Sequence, residues 1–145
     1  MRQSGKASVI TILAIAAILV VVGLLAFSRE SLGSVGGRFM EALRVGDVPK
    51  LTKLSYLGSM PEEEMRKQWD FAVNHAGKYY IFGYRITSSR DVDGKSGSVS
   101  MQVLRNPDHP GAYEEAFQLP MVKVGDEWKV DVRSISRQLY PGLPR

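Results

Sequence analysis

The sequence predicts an α+β domain of about a hundred residues carried on a single N-terminal transmembrane helix. Three observations lead there. A run of 19 uncharged residues, Val9 to Phe27, stands apart from a remainder of ordinary soluble composition. Apolar residues at helical spacing recur from Phe39 to Ala76. Beyond Lys78 the pattern changes to two-residue alternation broken by turns. It changes only once, so helices and strands are segregated, as in α+β folds, and not interleaved as in parallel α/β folds.

The apolar run VITILAIAAILVVVGLLAF would rise about 28 Å as a helix, close to the ~30 Å hydrocarbon core of a bilayer. A soluble core helix would show a polar stripe of period 3.6. Here the only polar side chain is Thr11, whose hydroxyl can bond back to its own helix. Val9, Ile10, Leu13, Ile18, Leu19, Leu24, Leu25 and Phe27 are the expected anchor contacts with lipid. A cleavable signal peptide is the competing reading, because Ala26-Phe27-Ser28 resembles a small-x-small cleavage site. The run exceeds the ~7–15 residues of a signal h-region, which favours an uncleaved signal-anchor. Arg2, Lys6 and the free amine make residues 1–8 the cytoplasmic side and place the C-terminal domain in the periplasm or outside the cell.

The formal charge of +4 carries little meaning. With Arg2 and Lys6 set aside, the 19 basic and 15 acidic side chains become 17 against 15. Both signs are interspersed, unlike the basic stripe of a nucleic-acid binder, so nucleic acid is not an expected partner. The absence of cysteine excludes disulfides, thiolate metal sites and thiol nucleophiles.

Residues 28–37, SRESLGSVGG, read as a flexible Ser/Gly tether, and the domain is expected over 38–136. A first helix carries Phe39, Met40 and Leu43 and stops at Gly46. Asp47 caps a second, with Pro49 in its first turn and Leu51, Leu54 and Leu57 on one face until Gly58. Ser59-Met60-Pro61-Glu62 has the spacing of a capping box, opening a third helix with Met65, Trp69, Ala72, Val73 and Ala76 inward and Gly77 as a left-handed cap. Glu62, Glu63 and Glu64 suit the positive end of that helix's dipole.

Lys78 to Ser88 is rich in aromatic and β-branched residues on both faces, which predicts a central or strongly curved strand, with Gly83 as its bend. Asp91-Val92-Asp93-Gly94 turns the chain; it lacks the ligand spacing of a calcium loop. Val99, Met101 and Val103 alternate inward on the next strand. A third strand carries Tyr113, Phe117, Leu119 and Met121, bent or at an edge near Pro120, and Gly125-Asp126 lead into a fourth with Trp128, Val130 and Val132. Residues 137–145, with Pro141, Gly142 and Pro144, form an extended tail.

Three helices, a long curved strand pair and the terminal hairpin VGDEWKVDVRSI together resemble the NTF2-like (cystatin-like) superfamily. The likeness spans roughly Val35 to Ile135, and Gly125, Trp128, Lys129, Val130 and Asp131 are its only sequence signature. It implies a cone of helices on a four-stranded antiparallel sheet. One N-inside anchor followed by such a domain is also similar in layout to VirB8-like secretion components.

Relatives of this fold include isomerases and dehydratases, which implies looking for an acid or histidine inside the cone. Asp70 is the acid beside an apolar helical face, with Tyr80 and Tyr84 as candidate hydrogen-bond donors. His75 and His109 lack partners at metal-ligand spacing, so no metal or cofactor is expected. No catalytic constellation can be named. The expected function is therefore a non-enzymatic, membrane-anchored accessory or scaffold subunit docking on protein partners through its extracytoplasmic domain, for which an apolar outer sheet face would be the natural surface. The alternative is a module holding a small apolar ligand in the cone between Trp69, Tyr80, Phe82 and Tyr84, or, less favoured, an isomerase or dehydratase.

Overall fold

The computed structural model describes the backbone of residues 4–27 and 30–145 and the side chains of residues 9–20 and 30–145. The chain divides into two compact units, one up to Glu30 and one from Ser31 to Arg145.

The first unit is helix α1, Ser4–Phe27. Its large apolar side chains, among them Val9, Ile10, Leu13, Ile18 and Leu19, are exposed. Among the described residues no helix is long and apolar enough to cross a membrane. The remaining anchor positions Leu24, Leu25 and Phe27 lie outside the described side chains, as do residues 1–8 and the first part of the expected tether.

The second unit opens with helix α2, Leu32–Val45, capped by Ser31, whose hydroxyl accepts the Ser34 N–H at 3.2 Å. Most of the segment expected as a flexible tether is thus helical and packed. The reason is contact geometry: Gly33 and Gly36 share one face, and a Cβ on Gly36 would lie 2.8 Å from Val99 Cγ2. These glycines let the helix lie close on the sheet, a use of glycine that composition cannot tell from flexibility. Gly46 ends α2 at φ +74°, as expected.

Helix α3, Val48–Leu54, has Asp47 as its cap, accepting the Lys50 N–H at 3.1 Å. It ends four residues before Gly58, because Ser55 and Tyr56 form strand β1, paired in parallel with Val130 and Asp131. The sheet therefore has five strands where four were expected. Two residues are too few to leave a periodicity.

Helix α4, Glu62–Phe71, comes next, and its final turn is a π-helical stretch, Ala72–Ala76. The capping box does not form: Pro61 occupies the cap position without a side-chain bond, and Glu62 is the first helical residue, so its carboxylate is two positions too early to reach back. Gly77 is not left-handed either, at φ −104°. Glycine is needed there because a Cβ would collide with the Tyr140 ring.

Strands β2 (Phe82–Asp91), β3 (Ser96–Arg105), β4 (Tyr113–Val124) and β5 (Glu127–Asp131) complete the sheet in the order β1-β5-β4-β3-β2, antiparallel apart from β1. Of the two expectations for β2, central or strongly curved, the first does not hold: the strand lies at the edge. Its apolar leader is not part of the ladder, Tyr79 and Ile81 being 84% and 62% exposed. The irregularity in its register falls between Ile86 and Ser88, not at Gly83. Pro120 lies one residue before the part of β4 that pairs with β5, so one side of the strand has no ladder partner for a missing N–H to break. Val99, Met101, Val103, Leu119, Met121 and Val130 are buried beneath Phe39, Met40, Leu43, Leu51 and Trp69. The opposite sheet face is mixed: Ser98, Ser100, Gln102 and Gln118 share it with Leu104, Ala116, Pro120 and Val122.

Candidate functional site

The interior of the cone is the natural place for a site in this architecture, and the chain's own residues fill it. The segment after β5, including a short 3-10 turn at Val132–Ser134, turns back into the domain instead of extending away from it. Leu139, Tyr140 and Leu143 are buried. Tyr140 meets Tyr80 edge-on at 5.2 Å between ring centroids and Phe82 at 6.1 Å. Such edge contacts add about 0.5–1.5 kcal/mol each beyond area burial. The Tyr140 hydroxyl donates to Gly77 O at 3.4 Å, and burial pushes its pKa above the ordinary 10.0.

An irregular segment in a core must have its carbonyls satisfied, and Arg105 does this. Only 6% exposed at the end of β3, it donates from Nη1 to Leu139 O at 3.1 Å, from Nη2 to Gln138 O, and from Nε to Glu115 Oε2 at 3.0 Å. Its guanidinium carbon lies 5.2 Å from the Tyr80 ring centroid and 5.1 Å from that of Phe117. The Tyr80 hydroxyl gives Leu139 O a second donor at 3.2 Å. Further along, Arg145 donates to the carbonyls of Val132, Arg133 and Ile135. Sequence reading missed Arg105, although an arginine continuing the inward register Val99, Met101, Val103 was a visible sign of a buried cation.

Of the four residues expected to line a ligand cavity, Tyr80 and Phe82 are brought together, at 6.0 Å between ring centroids, while Trp69 and Tyr84 make separate contacts. Trp69 is fully buried, edge-on to Phe39 at 5.7 Å, with its Nε1 donating to Ser55 Oγ at 2.9 Å. Ser55 in turn donates to Leu51 O at 2.6 Å, which ties α3, β1 and α4 together. Tyr80 and Phe82 pack on Tyr140. Tyr84 faces α2, its hydroxyl 3.3 Å from Gly37 O and 3.2 Å from Glu41 Oε2. Burial first, and the Glu41 carboxylate second, raise the pKa of Tyr84. Asp70 is exposed and accepts from Asn74 at 2.8 Å. His75 is exposed and stacked on Phe71 at 5.8 Å, and His109 sits exposed in the loop between β3 and β4. Among the described residues no group of three His, Asp or Glu side chains could hold a metal.

No family model and no curated protein matches the chain. Solved structures do. A domain of unknown function with a cystatin-like fold from Nostoc punctiforme is 10% identical, covers 68% of this chain and 70% of its own, and has a TM-score of 0.50. An NTF-2 like protein of unknown function from Shewanella oneidensis is 11% identical over 67% of this chain and 88% of its own, with a TM-score of 0.45. A ketosteroid isomerase-like protein from Erwinia carotovora is 11% identical over 67% and 85%, with a TM-score of 0.46. Likeness at this identity speaks to fold alone. The domain has the cystatin-like α+β fold.

Proposed function

We propose that the chain is a non-enzymatic, membrane-anchored accessory subunit whose NTF2-like domain docks on other proteins of a membrane complex from the extracytoplasmic side. The observation that carries this reading is the filled cone. With Tyr140 and Leu139 seated against Tyr80 and Phe82, and Arg105 holding the backbone that brings them there, the interior offers packing where ligand-binding relatives of a fold would offer space. What remains available to a partner is the outside of the domain.

The anchor is part of the proposal and rests on sequence together with α1. A helix whose apolar side chains are exposed on every described face needs an apolar surrounding, and Val9 to Phe27 has the length of a span. The layout of one N-inside anchor and one such domain, similar to that of VirB8-like components, supports a place in an assembly. The test is purification from native membranes in mild detergent, with particle mass and cross-linking mass spectrometry. Recovery of a defined complex well above the 16.1 kDa chain, with cross-links to residues of the domain, is the expected result. A monomer or a pure homo-oligomer overturns the reading.

A further inference from the structure

Strand β2 closes one end of the sheet, and among the described residues no strand pairs with its outer edge. We propose that this edge, from Tyr80 to Tyr84, is a self-association surface that pairs antiparallel with the same segment of a second copy of the chain, about a two-fold axis at Phe82. The inference goes beyond the docking function proposed above and does not depend on it.

The two halves of the edge are built differently. An open strand edge is a template for another strand, and folds guard it with bulges, charges or proline. Beyond the register irregularity between Ile86 and Ser88, β2 reads Ser88, Ser89, Arg90 and Asp91, all exposed. That half is guarded. Before the irregularity, Tyr80-Ile81-Phe82-Gly83-Tyr84 has neither charge nor proline. Its first two residues lie outside the ladder, because Phe82 already pairs with Arg105, the last residue of β3. The alternation of side chains continues there: Tyr80 packs inward on Tyr140, and Tyr79 and Ile81 stand exposed.

A second copy is selected because the segment is complementary to itself. In an antiparallel pair centred on Phe82, Ile81 stands opposite Gly83 of the second copy, and Tyr80 opposite Tyr84. The position over Gly83 is open: a Cβ there would meet nothing nearer than Leu104 Cβ at 3.7 Å. The exposed Ile81 of each copy therefore covers the glycine of the other, as a large side chain shields an edge glycine across a strand pair. One step outward, Tyr79 meets Arg85 of the second copy. The Arg85 side chain is 68% exposed and held loosely by Glu114 at 3.6 Å, which leaves it able to make a cation–π contact at each end of the pair. An axis at Gly83 would instead set Ile81 against Arg85 and the two glycines against each other, and would lose both contacts. A strand of another sequence could share the main-chain hydrogen bonds but not these side-chain matches.

The chain has no cysteine, so introduced cysteines report the register in the full chain in mild detergent. Ile81→Cys chains mixed with Gly83→Cys chains are expected to give, on mild oxidation, a disulfide-linked dimer of twice 16.1 kDa. Opposed residues lie about 4.5–5.5 Å apart at Cα, within disulfide reach, whereas two copies of the same residue lie about 7–8 Å apart. Either variant alone, and Val92→Cys in the exposed β2–β3 turn, should link far less. In sedimentation without cysteines, Ile81→Lys is expected to weaken dimerisation by about tenfold or more and Val92→Lys by less than about twofold. A monomeric unaltered chain overturns the proposal. So does a dimer that Ile81→Lys leaves unchanged, which places the contact elsewhere, or a mixed cross-link no stronger than that of Val92→Cys. Amides of residues 80–84 protected from exchange in the native complex but not in the purified chain assign the edge to a strand of another protein, and also overturn it. A pure homodimer cross-linked between positions 81 and 83 upholds this inference and sinks the docking reading; a complex holding one copy of the chain does the reverse.

Discussion

Replacing Arg105 by methionine keeps an unbranched stem and removes the guanidinium, which makes it a direct probe of how the C-terminal segment is held. Three hydrogen bonds vanish, to Glu115, Leu139 and Gln138, and with them two cation–π contacts. Hydrogen bonds to a charged group contribute about 1.5–3 kcal/mol each, but two discounts apply. Leu139 O keeps the Tyr80 hydroxyl as a donor. Glu115, 38% exposed, regains water, and the guanidinium no longer has to be desolvated. The net expectation is a loss of about 3 kcal/mol, toward the lower end of what breaking a buried ion pair costs. For a domain of this size that is a fall in melting temperature of roughly 12 °C, at about 4 °C per kcal/mol. The assay is urea unfolding of the full chain in detergent by tryptophan fluorescence, because Trp69 and Trp128 both lie in the second unit and α1 does not report. A loss below about 1 kcal/mol, or an unchanged amide exchange rate over residues 138–143, would refute the claim that Arg105 fixes this segment.

The paired variants Gly36→Ala and Gly37→Ala separate a packed helix from a tether: nothing lies within 4 Å of a Cβ on Gly37, so it should gain about 0.5–1 kcal/mol from helix propensity. Gly36→Ala, pressed on Val99, should lose about 1 kcal/mol in the same urea titration, whereas a free tether would leave both near zero. Gly77→Ala should cost about 1–3 kcal/mol through overpacking on Tyr140, and much of that loss should disappear in a background of Tyr140→Ala, as a double-mutant cycle would read. Tyr140 predicts an alkaline limit: with its folded pKa raised above 10.0, its contribution is fully present below the unfolded value and is lost as pH rises through the folded one. Tyrosinate absorbance and unfolding should then appear together above pH 10, and Tyr140→Phe should blunt that step. Ser55→Ala, which orphans the buried Trp69 N–H, should cost about 1–3 kcal/mol by thermal melting.

What could be read in advance was whatever repeats locally. The stop at Gly46, the helix-opening cap at Asp47, the inward register of Val99, Met101 and Val103, and the turns at Gly94 and Gly125 all depend on neighbours within a few residues. The cystatin-like α+β fold was legible through the order of those elements. What escaped depends on residues far apart in sequence. Gly33 and Gly36 are helical because a sheet lies against them, Ser55 and Tyr56 are a strand because Val130 and Asp131 are, and Gly77 is required by Tyr140. The burial of the tail escaped for the same reason: its proline and glycine content signals irregular structure, and nothing local says that Arg105 will satisfy its carbonyls.

The two-residue pairing of β1 with β5 has a kinetic consequence. It joins positions about 75 residues apart, so loop closure across most of the domain must precede any reward from it. The helices leading into Ser55 cannot lock until the β4–β5 hairpin exists to receive them. Residues at this junction should therefore form late, altering the unfolding rate far more than the folding rate, and the helical and sheet halves should come apart together and not in sequence.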